Sequence, residues 1–210
     1  GLERAVKAAG GKAELALDGK YKAKPDVAIV VFGEEPYAEF QGDIANLLYK
    51  PGNDADLELI KRLKADGIPV VAVFLTGRPL WMNREINASD AFVVAWLPGS
   101  EGAGVADVLL RKPDGSVAHD FKGKLSFSWP AQAVEGSVRS PDYKALFPFG
   151  HGLTYADGGD LEVLPEESGI DGLHAAPGVY FANAMLAPGL AARVENAQNH
   201  TAQITTVPVS

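Results

Sequence analysis

Four carboxylates crowd one short stretch of this chain: Glu34, Glu35, Glu39 and Asp43. The stretch reads Val30-Val31-Phe32-Gly33-Glu34-Glu35-Pro36-Tyr37-Ala38-Glu39-Phe40-Gln41-Gly42-Asp43. Carboxyl groups move protons, and a glutamate stays neutral near pH 7 when it is buried or lies beside another carboxylate. General acid–base chemistry is what these residue types could do, with Tyr37 and Phe40 at hand to exclude water. The run Val27-Ala28-Ile29-Val30-Val31-Phe32 leads straight into them. Its continuous apolar, β-branched character predicts a strand buried on both faces. The acidic loop then leaves the carboxyl end of a strand, which is where open α/β sheets hold ligands. Composition alone leaves a solvated acidic turn as the alternative, because charged loop residues are mostly exposed.

Such a loop needs a scaffold, and the flanking sequence predicts one. Residues 2–9 read as the end of a helix closed by Gly10-Gly11, and residues 12–17 alternate as a short strand. Asp54 caps a helix over residues 55–65, with Leu57, Ile60 and Leu63 on one face and Gly67 as the stop. Residues 69–76 form a second apolar strand, and Gly77-Arg78-Pro79 turns the chain into a short helical segment near residues 80–86. Residues 91–96 read as a third strand and 101–110 as a helix. This alternation predicts an α/β fold, a mostly parallel sheet flanked by helices in an α/β sandwich. Further on come a strand at 124–129 and an aromatic loop at 141–152. After Tyr155 the chain turns rich in Gly, Pro and Asp, then gives short β-like runs at 178–181, 191–195 and 202–209. The division expected is 1–155 as an α/β domain and 156–210 as a linker with the beginning of a C-terminal β-rich module.

Composition narrows the function classes. The chain has 210 residues and a net charge of −8, which disfavours nucleic acid as a partner. It contains no cysteine, so disulfide and thiolate chemistry are excluded. No apolar run reaches the roughly 18 residues of a membrane span. His119, His151, His174 and His200 lack metal-ligand spacing. No Gly-x-Gly-x-x-Gly or Walker-type loop follows a strand, so no cofactor and no metal are expected. Gly1 is expected to be an internal residue of a longer parent.

Four motifs stand in order along residues 1–155. The acidic loop is the first and Gly77-Arg78-Pro79-Leu80 the second. Ala95-Trp96-Leu97-Pro98-Gly99-Ser100-Glu101-Gly102 follows, and Leu146-Phe147-Pro148-Phe149-Gly150-His151-Gly152-Leu153-Thr154-Tyr155 closes the set. Gly123-Lys124-Leu125 to Trp129-Pro130 lies between the last two. Together they resemble the second, C-terminal α/β domain of glycoside hydrolase family 3, the exo-acting β-glucosidases and β-glucan glucohydrolases. The resemblance implies an active site shared with an N-terminal TIM-type barrel that carries an aspartate nucleophile. It implies that Glu39 is the acid/base in the retaining hydrolysis of terminal β-glucosidic bonds, acting on β-glucan oligosaccharides or β-glucosides. The barrel lies outside this chain, so the chain alone is expected to be inactive. The family's first strand and a tryptophan-bearing loop are expected upstream of Leu2, and the location implied is periplasmic or secreted. His151 departs from the aromatic residue more common there. The alternative is a non-catalytic carbohydrate-binding or interaction module on the same scaffold.

Other residues are read as follows from their types and places. Glu34 and Glu35 orient the loop, pair with Arg78, or are solvated. Arg78 is a structural ion pair or positions the loop, and Trp96 packs or stacks on sugar. Asp43 is a turn residue or a contact to sugar hydroxyls. Glu101 fits the first turn of a helix, where an acid favours the dipole.

Overall fold

A computed structural model describes residues 1–134 and 143–170 and, beyond them, the backbone of four short strands. The first helix is α1 (Leu2–Ala8), followed by the edge strand β1 (Ala28–Gly33). Helix α2 (Ala55–Ala65) crosses to β2 (Val70–Leu75), and α3 (Asn83–Ala88) crosses to β3 (Ala91–Trp96). The three strands are parallel, in the order β1-β2-β3. β1 and β2 run in step from Ala28 against Val70 to Gly33 against Leu75. The α/β sandwich expected from the alternation of strands and helices is therefore present.

Period-two alternation sends the strand side chains to two faces. Val30, Phe32, Ala72 and Phe74 meet Ile60 and Leu63 of α2 in the main core. Ile60 and Phe74 are fully enclosed, and each such side chain contributes about 1.5–3 kcal/mol relative to its exposed state. Val31, Val73 and Leu75 take the other face, over which Leu2 of α1 and Val105 of α4 (Gly102–Leu109) line a common cavity. Helix α2 has the expected bounds, with acids in its first turn and Arg62 and Lys64 in its last, the order that suits the helix dipole. Asp54 occupies the N-cap position without a side-chain cap bond. Its carboxylate instead faces Arg84 at 3.0 Å, and the Asn53 side chain accepts from the Ala55 amide.

Several local expectations are corrected. Residues 12–17 form no strand, and Leu15 and Leu17 stay 81% and 90% exposed. Alternation produces a strand only where a neighbour supplies hydrogen bonds, and none of the described strands reaches this segment. Of residues 124–129, only the end is a strand, β4 (Trp129–Pro130), which pairs antiparallel with β5 (Ala145–Phe147). The backbone of Leu125 instead bonds Gly150 and His151. Helix α3 starts at Asn83, because Trp81 is held in a parallel bridge to Leu48, with its amide on the Leu47 carbonyl at 2.8 Å. A single turn of 3₁₀ helix (Gly99–Glu101) precedes α4.

The first compact unit runs from Gly1 to Ile170, past the change of composition at 155. Leu164 is buried in its core, and Asn83 and Asn87 of α3 hydrogen-bond residues 164–166. The second unit, Asp171–Ser210, contains two antiparallel hairpins. One pairs β6 (Phe181–Ala182) with β7 (Met185–Leu186), the other β8 (Ala192–Glu195) with β9 (Thr201–Ile204). These cover parts of the β-like runs expected at 178–181, 191–195 and 202–209. The remainder of those runs, His174 and His200 lie outside the described residues. No described helix is long and apolar enough to cross a membrane.

Candidate active site

The acidic loop leaves the sheet at Gly33. The Glu34 amide still bonds the Leu75 carbonyl at 3.1 Å, so the loop starts in register with β2. The Glu34 carboxylate then turns toward the end of that strand. One oxygen lies 2.6 Å from the Thr76 hydroxyl, and the other accepts Arg78 Nε at 3.1 Å. The pair is largely shielded, at 19% side-chain exposure for Arg78 and 15% for Glu34. Arg78 Nη1 donates to the Gly42 carbonyl at 2.5 Å, on the far limb of the loop. The guanidinium carbon also sits 3.9 Å from the centre of the Tyr37 ring. One planar cation thus grips three points of a single loop, which suits the fixed fork of arginine.

Glycines make room for this clamp. A Cβ on Gly42 would meet the Tyr37 ring at 2.8 Å, and one on Gly77 would meet its hydroxyl at 2.6 Å. Tyr37 is therefore seated between two backbone segments that only glycine allows so near.

Beyond the clamp the chain makes a tight turn. The Gly42 amide bonds the Ala38 carbonyl at 3.0 Å, and the Gln41 amide bonds that of Glu39 at 2.8 Å. Phe40 takes the left-handed region, with φ of 67°, a conformation that costs a bulky residue on the order of 1–3 kcal/mol. Glu39 stands on this turn. Its carboxyl, like those of Glu35 and Asp43, receives no hydrogen bond or ion pair from the described residues. All three are exposed. The shielding of Glu39 expected from Tyr37 and Phe40 does not occur. Tyr37 is occupied by Arg78, and Phe40 is 84% exposed.

The other singled-out residues lie away from this clamp in its hydrogen bonds and ring contacts. Strand β3 bulges so that Leu75 pairs with Trp96, which has φ of 53°. The Trp96 ring lies edge-on to Phe127 and Trp129, with centroids 6.0 and 6.2 Å away. Glu101 ends the 3₁₀ turn before α4, and His151 stacks on Phe147 at 4.5 Å. Among the described residues no group of three His, Asp or Glu could hold a metal ion.

Three contributors escaped the sequence reading. Thr76 is buried and bonds both Glu34 and the Arg78 backbone. Its signal is a hydroxyl where an apolar strand ends before Gly-Arg-Pro. Tyr49 closes the base of the loop, its hydroxyl 2.9 Å from the Gly33 carbonyl and 2.7 Å from Asp56. Glu85 is buried in α3, and its enclosure pushes the carboxyl up to about 7. Nothing in one sequence separates Tyr49 and Glu85 from ordinary core positions.

Comparison with known proteins fits this architecture. Residues 2–155 match the glycosyl hydrolase family 3 C-terminal domain. The lysosomal beta glucosidase of Dictyostelium discoideum is 34% identical over 62% of this chain and 16% of its own length. The periplasmic beta-glucosidase of Salmonella typhimurium is 30% identical over 73% of this chain and 22% of its own. The crystal structure of the exo-1,3/1,4-beta-glucanase of a Pseudoalteromonas species superposes with a TM-score of 0.76 and 47% identity, covering 97% of this chain and 25% of that one. The chain thus spans about a quarter or less of these relatives. With the matched region extending over most of its length, the chain belongs to glycoside hydrolase family 3, whose C-terminal domain it carries.

Proposed function

We propose that the parent of this chain is a retaining, exo-acting β-glucosidase that hydrolyses terminal β-glucosidic bonds, with Glu39 as its acid/base. The observation that carries this reading is the position of Glu39 on a clamped turn beyond β1, with its carboxyl free of partners among the described residues. Retaining glycosidases use two carboxyl groups about 5–5.5 Å apart, one attacking the anomeric carbon and the other moving the proton. The nucleophile comes from the N-terminal barrel of the parent. Glu39 protonates the bridging oxygen as the bond breaks, then takes a proton from the water that releases the sugar. Its surroundings in this chain are open, so barrel and substrate complete its desolvation. Glu34, Arg78 and Tyr37 hold the loop, on which Glu35 and Asp43 stand exposed. The chain alone is inactive, because a proton donor without a nucleophile cannot run a double displacement.

The names of the relatives support β-glucosides or β-glucan oligosaccharides as substrates and, from the Salmonella protein, a periplasmic or secreted location. The test is Glu39→Ala in the full-length parent, assayed on β-glucosides of graded leaving-group ability. Turnover of poor leaving groups falls by on the order of 10²–10⁴, while activated aryl glucosides still load the enzyme and azide restores release. Unchanged turnover across the series would remove the assignment and leave a non-catalytic carbohydrate-binding module.

A further inference from the structure

We infer that Tyr49 is a positioning residue for this reaction: its hydroxyl staples the outgoing limb of the acidic loop to the core and so sets where Glu39 stands. The role rests on the reading of Glu39 as acid/base. The loop leaves β1 at Gly33 and re-enters the core at Tyr49. That ring is 8% exposed and lies edge-on to Phe32 at 5.8 Å and Phe74 at 5.2 Å. Its place is therefore fixed by packing, independently of the hydroxyl.

The hydroxyl meets a backbone group that the sheet cannot satisfy. The Glu34 amide points at β2, where it bonds Leu75. The Gly33 carbonyl belongs to the same trans peptide and so points the opposite way, away from β2. There the Tyr49 hydroxyl stands 2.9 Å from it. The same hydroxyl is 2.7 Å from Asp56 Oδ2, an oxygen that also lies 3.1 Å from Lys50 Nζ. A carbonyl and a carboxylate both only accept, so one phenolic hydrogen serves two acceptors. Burial, reinforced by the bond to Asp56, pushes the phenol well above its ordinary value, so the donor keeps its proton wherever a glycosidase works.

The return limb is held separately. The Leu47 amide bonds the Ala133 carbonyl, and its own carbonyl accepts the Trp81 amide, both at 2.8 Å. The outgoing limb is held by the Glu34 amide on Leu75, by Thr76 and Arg78 on the Glu34 carboxylate, by Arg78 against the Tyr37 ring, and at its base by Tyr49 on the Gly33 carbonyl. Loss of the hydroxyl removes the hold on the Gly33 carbonyl, the one on the side of the base away from β2, and leaves the aromatic core filled. Glu39 then swings about the Arg78 clamp, and a proton donor displaced by a fraction of an ångström delivers poorly.

Tyr49→Phe in the full-length parent tests this. On a disaccharide or alkyl β-glucoside, kcat/KM falls by on the order of tenfold. On 2,4-dinitrophenyl β-glucoside, which departs without protonation, it stays within about twofold. A thermal melt run alongside shows that the variant is folded at the assay temperature. Equal loss on both substrates, or no loss on either, overturns the role. Glu39→Ala is measured in the same series. If that variant shows no leaving-group dependence, the assignment of Glu39 fails and the role of Tyr49 with it. If it does and Tyr49→Phe does not, only the staple fails. Should Tyr49→Phe not fold, Asp56→Ala, which leaves the phenolic hydrogen to the Gly33 carbonyl alone, is expected to keep kcat/KM on both substrates within about twofold, and a leaving-group-dependent loss there overturns the role.

Discussion

Arg78 Nε lies 3.1 Å from Glu34 Oε1 while Nη1 of the same guanidinium reaches the Gly42 carbonyl at 2.5 Å. The two bonds tie the outgoing limb of the acidic loop to its far side across the Tyr37 ring. A lysine at this position keeps the charge but presents one compact donor group, which cannot span both limbs and cover the ring. Arg78→Lys in the parent enzyme is therefore expected to lower kcat for poorly leaving β-glucosides by roughly 10- to 100-fold. KM should move less, since the clamp is directed at the loop. A pure rise in KM at constant kcat would mean that Arg78 binds sugar instead.

Tyr37 and Gly77 approach too closely for any other residue at 77. The Cβ of an alanine there would stand 2.6 Å from the Tyr37 hydroxyl and 3.4 Å from the ring carbon that bears it. Gly77→Ala should push Tyr37 off its seat and reduce turnover several-fold. Tyr37→Phe in the same chain removes the clashing oxygen and leaves an ordinary contact, so the double variant should recover most of the loss. Strictly additive effects of the two changes, read from a double-mutant cycle, would show that the ring is not seated against residue 77.

The sheet was legible because its signals are local. Residues 55–65 carry apolar side chains at helical spacing, and β1, β2 and β3 are unbroken apolar runs between turns. The site was legible only as residue types. Glu34, Arg78 and Tyr37 were visible in the sequence, but the sharing of Arg78 between Glu34 and the Gly42 carbonyl depends on two loops meeting at the ends of β1 and β2. The exposure of Glu39 was not legible, because it depends on where the ring of Tyr37 goes. Residues 12–17 alternated like a strand and formed none, since pairing is decided by the neighbour and not by the segment.

Glu85 gives the domain a pH dependence of known sign. Burial pushes its carboxyl from an ordinary 4.5 up to about 7, with Asp54 and Asp56 adding to the shift and Arg84 opposing it. The folded state therefore holds more protons than the unfolded state between these values, and this residue's contribution to stability falls as pH rises through that window. Glu85→Gln removes the penalty of burying the ionised form. The variant should be more stable than the parent at pH 8, by an amount on the order of 3 kcal/mol at most, and nearly unchanged at pH 4.5. Denaturant unfolding of both proteins at the two pH values checks this. An equal shift at both would place the effect in packing.

Asn87 supplies for residue 164 what a neighbouring strand would supply. Its side-chain nitrogen donates to the Leu164 carbonyl and its oxygen accepts the Leu164 amide, each at 2.9 Å. Leu164 is 8% exposed, so the backbone at this point has little access to replacement water. Asn87→Ala strands two polar groups and is expected to cost about 1–3 kcal/mol, with faster amide exchange at 161–167. The same side-chain nitrogen also reaches Glu166 at 2.9 Å, but on the exposed side. Glu166→Ala should cost no more than about 0.5 kcal/mol, as surface changes usually do. If the two variants destabilise alike, the segment is held by its exposed polar bonds. If only Asn87→Ala matters, its paired bonds to residue 164 are what keep this stretch on α3.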